Sequence, residues 1–195
     1  MRFVLSILLA VGGPLAAQSE KHLGRSAEQW QAGLHSERGI ERLLAARSIG
    51  EMAIKGMDGA SDALFEALEH ADGSVRYWAA VAAVNIPEKS DRLIETVSGM
   101  LQDDVPEVRV QAAQALTGSS HREAALETIR QALSHPNRGV RLQAAHAADA
   151  IGDKARPLAD ALQVAVGDSF DYVQRVARHA LWAMGERPCP YRDCD

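Results

Sequence analysis

Aromatic residues and clustered basic residues are both scarce in this chain of 195 residues. Phe, Trp and Tyr together make up 5% of the sequence, although 47% of it is hydrophobic. Alanine supplies much of the apolar content, which suits closely packed helices better than sheets. Asp and Glu outnumber Lys and Arg by 26 to 21, and the basic residues are spread singly along the chain. Because a nucleic acid or an anionic membrane attracts a clustered basic excess, we expect neither as a partner.

Catalytic sequence motifs are also absent. The chain has no GxSxG nucleophile motif, no HExxH zinc motif and no glycine-rich phosphate-binding loop. Ser119 and His121 are close in sequence, but a serine at a predicted helix end is typical of a cap. His146 and His179 stand at equivalent places 33 residues apart and could form an acid–base pair or bind a metal. A zinc site needs about four ligands, so we predict surface histidines, no catalytic residue, no metal and no cofactor.

Cysteine is limited to two residues, Cys189 and Cys194, and both lie in a C-terminal tail, residues 187–195. In an exported protein an even number of cysteines predicts a disulfide. The loop it closes is short, so its contribution to stability is small in the chain-entropy account. The spacing does not match a CxxC redox motif, and two thiolates are too few for a zinc site.

The first 17 residues have the pattern of a secretory signal peptide. Arg2 precedes the apolar run 3–11, a Gly/Pro break follows, and small residues end at Ala17. A buried N-terminal helix is the alternative, and the run is too short for a comfortable membrane span. We therefore predict cleavage after Ala17, a secreted or periplasmic protein without membrane insertion, and a flexible polar segment at residues 18–25.

One short pattern recurs along most of the remaining chain. It reads VRYWAA at 75–80, VRVQAA at 108–113, VRLQAA at 140–145 and, more loosely, YVQRVA at 172–177. A degenerate first copy carries Arg42, so an arginine recurs every 32 to 34 residues. This period is typical of stacked two-helix units. The sequence therefore predicts an all-α, right-handed α–α superhelix of about five helix pairs over residues 26–186.

Small residues recur with the same period. Gly118, Gly152 and Gly185 each follow a predicted second helix, and we predict that all three are left-handed C-terminal caps. Alanine pairs such as Ala112 and Ala113 occupy the middle of the second helices. Their small side chains are expected to let neighbouring second helices approach closely.

The repeated pattern resembles a known family. Helix pairs joined by a turn that carries Asp or Asn, followed by V-R-x-x-A-A-x-A-L, are similar to HEAT repeats of the short bacterial type related to phycobilisome-lyase units. The resemblance extends over residues 26–186 and is most specific in the three central copies. Similar repeats also occur beside secreted bacterial sulfatases. The resemblance implies a helical solenoid whose turns are held by a ladder of hydrogen bonds.

Polar residues at the predicted turns are the first candidate functional residues. They form four pairs: Asp72 with Arg76, Asp104 with Arg109, Asn137 with Arg141, and Asp171 with Arg175. A row of ligand-binding arginines is one interpretation. We favour a structural ladder, because the repetition follows the architecture rather than a single site. The planar fork of arginine also suits the carboxylates and backbone carbonyls found at turns.

A second set of candidates lies along the exposed ridge of the second helices. Helical spacing places eight polar or aromatic residues on or near one side: Tyr77, Trp78, Gln111, Gln114, Gln143, His146, His179 and Trp182. Aromatic and amide side chains suit protein recognition. The alternative for Trp78 and Trp182 is that each fills a gap between helices.

These features favour a non-catalytic, exported HEAT-repeat scaffold that binds another protein along this ridge. The repeats occupy nearly the whole mature chain, which leaves no room for another folded catalytic domain. The alternative is an accessory or regulatory module of an exported hydrolase such as a sulfatase. A HEAT-like lyase is a third interpretation, and it rests on fold analogy alone.

Overall fold

The computed structural model describes residues 20–188, which fold into five successive helix pairs without a β-strand. The first helices of the pairs are α1 (Ala27–Leu34), α3 (Ala60–Leu68), α5 (Asp91–Gly99), α7 (Arg122–Leu133) and α9 (Ala159–Ala165). The second helices are α2 (Gly39–Ile54), α4 (Gly73–Asn85), α6 (Pro106–Leu116), α8 (Arg138–Ala150) and α10 (Asp171–Ala183). Short 3-10 helices, Met100–Gln102 and Gly152–Leu158, follow α5 and precede α9. This arrangement confirms the predicted all-α superhelix.

Local sequence determines where the helices begin. Ser26 caps α1 in a reciprocal capping box with Gln29, so two free backbone N–H groups gain acceptors. The side chains of Asp72 and Asn137 accept from the N–H of the second residue of α4 and of α8. Pro106 opens α6, where a missing N–H costs nothing.

The glycines that follow the second helices do not all behave alike. Gly152 and Gly185 have φ angles of 56° and 75°, as predicted for left-handed caps. The same prediction was wrong for Gly118, which is not among the described glycines with positive φ. There the hydroxyl and the backbone N–H of Ser119 both donate to the carbonyl of Leu116, each at 2.9 Å. These hydrogen bonds end α6 without a left-handed residue.

The second helices pack against one another in chain order, from α2 through α10. Their alanine pairs, including Ala112 with Ala113 and Ala144 with Ala145, are fully buried between neighbours. Helices α2 and α4 approach closely, since a Cβ added to Gly50 would lie 2.8 Å from the Cβ of Ala82. Small residues therefore set the spacing of the helix layer that carries the candidate ridge.

Ahead of α1, the described part of the N-terminal segment contains a tight turn. His22 and Arg25 exchange backbone hydrogen bonds of 2.9 and 3.1 Å, and the indole N–H of buried Trp30 donates to the His22 carbonyl at 2.9 Å. The predicted signal peptide and the predicted Cys189–Cys194 disulfide lie outside the described residues, so both stay predictions. Among residues 20–188, no helix has the length and apolarity that a membrane span requires.

Candidate interaction surface

Arginines at the starts of the second helices each bind the turn that precedes them. Arg76 Nη1 donates to the carbonyls of His70 and Ala71, at 2.9 and 3.0 Å. Arg42, Arg109 and Arg141 make the same hydrogen bond to the carbonyl six residues earlier. This repeated contact fixes the guanidinium group of each arginine against its own turn.

The other edge of the guanidinium group reaches the next repeat. Arg76 Nε and Nη2 donate to the two carboxylate oxygens of Asp103, at 2.7 and 2.8 Å. Arg141 binds Asp168 through the same pair of atoms at 2.6 and 3.0 Å. Arg42 binds Asp72 through Nε and Nη2 at 3.1 and 2.7 Å. We call these bonds between successive turns the turn ladder.

The turn ladder differs from the pairs suggested by the sequence. The sequence predicts a pair of Asp72 with Arg76 of its own turn, but the Asp72 carboxylate caps α4 through the Ser74 N–H and pairs with Arg42 of the preceding repeat. Asp104, matched with Arg109, instead contacts Arg76 and remains mostly exposed. Asn137, matched with Arg141, accepts from the Gly139 N–H. The physical reason is that each arginine satisfies its own turn through backbone carbonyls and so has its second edge free for the neighbour.

The last repeat uses glutamine in place of arginine. Gln174 Nε2 donates to the carbonyl of Asp168, six residues earlier, at 2.6 Å, so Gln174 occupies the ladder position. Arg175, which was assigned to the ladder from the sequence, lies on the side chain of Tyr172 with its guanidinium carbon 5.8 Å from the ring centre. Its proposed partner Asp171 is exposed at the first position of α10.

Ladder pairing shifts the acidity of the aspartates. The hydrogen bond from Arg141 lowers the pKa of Asp168, and the hydrogen bond from Arg42 lowers the pKa of Asp72. Burial of Asp103 opposes its ionisation, but hydrogen bonds from Arg76 and from the Val105 N–H outweigh that effect and lower its pKa as well. All three carboxylates therefore favour the charged form in the folded protein.

A different surface forms where the second helices face away from the first helices. A cavity of about 560 Å³ is lined by side chains from four successive second helices, with Leu43 on α2, Tyr77 and Trp78 on α4, Glu107 on α6 and Gln143 on α8. Residues so far apart along the stack can share one cavity only if the helix layer curves around it. We call this space the aromatic cavity, and it shows that the second-helix ridge is concave here.

Two aromatic side chains line the aromatic cavity. The rings of Tyr77 and Trp78 meet edge to face with centroids 5.6 Å apart, and the Arg47 guanidinium carbon lies 5.6 Å from the centre of the Trp78 ring. Both aromatic residues are half-buried. Burial, together with the Glu107 carboxylate, raises the pKa of the Tyr77 phenol, so the hydroxyl keeps its proton and can donate a hydrogen bond.

A second cavity of about 540 Å³ adjoins the first, because Tyr77 and Gln143 line both. Its other polar lining residues include Gln111, Gln114, His146 and Asp149. We call it the amide cavity. The side-chain amides of Gln111 and Gln114 have no hydrogen-bond partner among the described residues, while Gln143 donates a long 3.4 Å hydrogen bond to the Glu107 carbonyl. Their amide groups are therefore available to an external ligand.

At the C-terminal end of the ridge, the polar side chains contact other residues of the protein. His179 of α10 contacts Asp149 of α8 at 2.6 Å, and its ring centroid is 5.2 Å from that of half-buried Trp182. His146 is exposed one turn from Asp149. The structure thus brings six of the eight predicted binding residues into the two cavities and places His179 and Trp182 beside them.

Among residues 20–188 there is no group of three or more His, Cys, Asp and Glu placed to hold a metal ion. Sequence reasoning missed Leu43, Glu107 and Asp149 of the cavities, and Asp103 and Asp168 of the ladder. Aligning Gln174, rather than Arg175, with the other ladder positions would have placed Asp168 and Asp103 in register, both six residues before a ladder residue.

Stacked helix pairs with a ladder of arginines at the turns define an α-solenoid. The HEAT repeats family matches residues 27–117 and 94–182, which together span most of the sequence. The chain therefore belongs to the HEAT-repeat family. A comparison with curated proteins found no match.

The fold is similar to solved structures of different origin. Two engineered proteins share 24% and 27% identity with TM-scores of 0.54 and 0.55; the matches cover 81% and 82% of this chain and 78% and 81% of theirs. The complex of CpcE and CpcF of phycocyanin lyase from Nostoc sp. PCC7120 matches at 23% identity and a TM-score of 0.60, over 95% of this chain and 71% of that one. At 23–24% identity such likeness shows the fold alone.

Proposed function

We propose that this protein is an exported, non-catalytic scaffold that binds another protein through the second-helix ridge. One observation carries the proposal: four successive second helices contribute to a concave surface that combines aromatic rings with amides lacking described partners. HEAT-repeat proteins are helical scaffolds, and a concave solenoid surface is where such stacks bind extended ligands.

The composition of the ridge favours a protein over a small molecule. Trp and Tyr supply large contact area at a low entropic cost and are enriched at the energetic centres of protein interfaces. Here Tyr77 and Trp78 lie on α4 at the N-terminal end of the ridge, and the amides of Gln111 and Gln114 follow on α6. The two adjoining cavities share Tyr77 and Gln143 and take lining residues from α2, α4, α6 and α8, so one segment of a partner could contact several repeats.

Export is supported by the N-terminal sequence. The charged, apolar and small-residue regions of residues 1–17 direct a protein into the secretory pathway. The partner is therefore sought among secreted or periplasmic proteins. Purification of the exported protein, followed by mass determination of its first peptide, tests this part: the expected N-terminus is Gln18, and a protein retained in the cell with Met1 intact contradicts it.

The binding proposal is tested by affinity measurements with matched variants. The protein is used to capture its partner from the envelope or secreted fraction of its native cells, and the purified partner is then titrated. Tyr77→Ala combined with Gln111→Ala is expected to weaken binding at least about tenfold, because interface aromatics are common energetic centres.

A second double variant, outside the ridge, is the control. Glu123→Ala combined with Gln163→Ala removes exposed side chains from the first helices α7 and α9 and is expected to leave the affinity unchanged. Equal affinity of the ridge variant and the unchanged chain would show that the partner binds elsewhere.

A further inference from the structure

One step of the turn ladder lacks its carboxylate. Arg42, Arg76 and Arg141 each hold an aspartate of the next repeat. Within residues 20–188, no carboxylate oxygen lies within 4 Å of the guanidinium nitrogens of Arg109. Its Nη1 donates to the Asp103 carbonyl at 2.6 Å, as in the other repeats, but no described acceptor meets its Nε and Nη2.

The sequence explains the missing carboxylate. Counting six residues back from the ladder position gives Asp103 before Arg109, Asp168 before Gln174 and His135 before Arg141. His70 stands six residues before Arg76, and there Asp72, two residues later, binds Arg42. His135 is followed at that place by Asn137, so neither position offers Arg109 a carboxylate.

His135 adds a second donor at this step. Its Nδ1 accepts from the Asn137 N–H at 3.1 Å, so the proton of the neutral ring is on Nε2. His70 has the same local hydrogen bond, but its Nε2 also contacts the Leu34 carbonyl at 3.2 Å. The Nε2 of His135 has no such contact among the described residues.

Arg109 and His135 line one cavity of about 510 Å³ between the 3-10 helix after α5, α6, α7 and the start of α8. Gln131 and Thr128 of α7 also line it, as does Glu127. Glu127 does not fill the missing place, since its carboxylate accepts from Arg130 and Gln131. The cavity is thus lined by two residues, Arg109 and His135, that each have side-chain N–H groups without a described acceptor.

We propose that this cavity binds a carboxylate group from outside the repeat, which takes the place that an aspartate occupies on Arg76 and Arg141. The preceding turn already holds the guanidinium group in position, so little side-chain entropy is lost on binding. Arginine's fork binds a carboxylate through two parallel hydrogen bonds. This site is separate from the second-helix ridge, and its test does not involve the ridge residues.

The arginine Nε–H signals of the labelled full chain provide the test. Sodium acetate is titrated at constant ionic strength with sodium chloride as the balance. The Arg109 signal is expected to shift and to saturate on the order of tens of millimolar, because an exposed ion pair gains little in water. The signals of Arg76 and Arg141 are internal controls and are expected to stay in place because aspartates already occupy them.

A capped tetrapeptide with one glutamate distinguishes two sources of the carboxylate. At least tenfold tighter binding of the peptide than of acetate identifies an acidic side chain of a partner protein, and equal binding identifies a small organic acid. If neither probe moves the Arg109 signal, or if Arg76 and Arg141 move equally, the proposal is wrong.

The variant His135→Asp supplies the missing carboxylate from within the chain. It is expected to move the Arg109 signal toward those of Arg76 and Arg141, to raise the melting temperature and to abolish the response to acetate. A variant that melts lower, or that still responds to acetate as the unchanged chain does, would show that Arg109 does not face this position.

Discussion

The turn ladder and the second-helix ridge are built from the same helices, but their polar side chains differ in whether they have hydrogen-bond partners within the protein. At the turns, the guanidinium groups of Arg76 and Arg141 make hydrogen bonds both to their own turn and to the next repeat. On the ridge, the amides of Gln111 and Gln114 meet no described partner. The difference separates side chains that hold the repeats together from side chains that are available for binding.

This contrast explains why repetition alone does not identify function. The ladder positions repeat because each pair of adjacent units needs the same connection. The ridge positions vary, from Tyr77 and Trp78 in one repeat to His146 in another. The residues that differ between repeats are therefore the better candidates for specific recognition, and Arg109 is informative because it breaks the repetition of the ladder.

The largest expected effect comes from breaking a ladder bond. Asp168→Ala leaves the guanidinium group of Arg141, 14% exposed, without its carboxylate and the Phe170 N–H without its acceptor. We expect a loss of about 2–3 kcal/mol in the free energy of unfolding, measured by urea denaturation.

Asp104→Ala is the matched control for that variant. The Asp104 side chain is 85% exposed, and Arg76 keeps its bonds to Asp103. We expect a change within about 0.5 kcal/mol. If Asp168→Ala and Asp104→Ala lost similar free energy of unfolding, the buried carboxylate would contribute no more than the exposed one. That result would contradict the stabilising role of the turn ladder.

A smaller loss is expected from crowding the helix layer. Gly50→Ala places a Cβ 2.8 Å from the Ala82 Cβ, so α2 and α4 must move apart, at about 1–2 kcal/mol. Gly99→Ala, at a helical glycine with open space around it, is expected to be neutral or stabilising by up to about 1 kcal/mol. Thermal unfolding of both variants checks whether their changes in stability have opposite signs. Stabilisation by Gly50→Ala would contradict close packing between α2 and α4.

The ladder also predicts a dependence on pH. The pKa of Asp168 is lower in the folded protein than its usual value, so its ionised form adds stability that is fully present above about pH 4. That contribution is lost as the pH falls below this value toward the folded pKa. The difference in unfolding free energy between the chain and Asp168→Asn should therefore narrow on acidification from pH 7 to pH 3. A difference that stays constant or widens is the contrary result.

The smallest effect on stability is expected at the ridge. Gln111 is half-buried and its amide has no described partner, so Gln111→Ala should change the free energy of unfolding by less than about 0.5 kcal/mol. Urea denaturation beside Asp168→Ala provides the measurement. A loss comparable with that of Asp168→Ala would make Gln111 a structural residue.

Sequence reasoning succeeded where the controlling interactions are local. The helix pairs follow from the repeated pattern, and the left-handed caps at Gly152 and Gly185 follow from their places directly after second helices. The ladder partners could not be found in the same way, because Arg76 and Asp103 meet only after one repeat packs on the next. In the last repeat, the ladder position is Gln174, one residue before the arginine, so the sequence pattern assigned Arg175 to the ladder instead.

The cavities on the ridge could not be predicted from the sequence pattern. Helical spacing placed Tyr77 and Gln143 on the same side, but the curvature that brings them into one cavity comes from the packing of four helices. The engagement of His179 by Asp149 is likewise a contact between repeats. Export and the binding of a partner protein along the ridge stay predictions.

Site-specific photo-crosslinking is the most direct test of the claim that the ridge is the binding surface. A photoreactive residue is introduced at Gln111 on α6 or at exposed Gln163 on α9, and the protein is irradiated in its native envelope or secreted fraction. We predict a discrete protein adduct from position 111 that is absent from position 163. An adduct that forms equally at both positions, or only at position 163, would contradict the account.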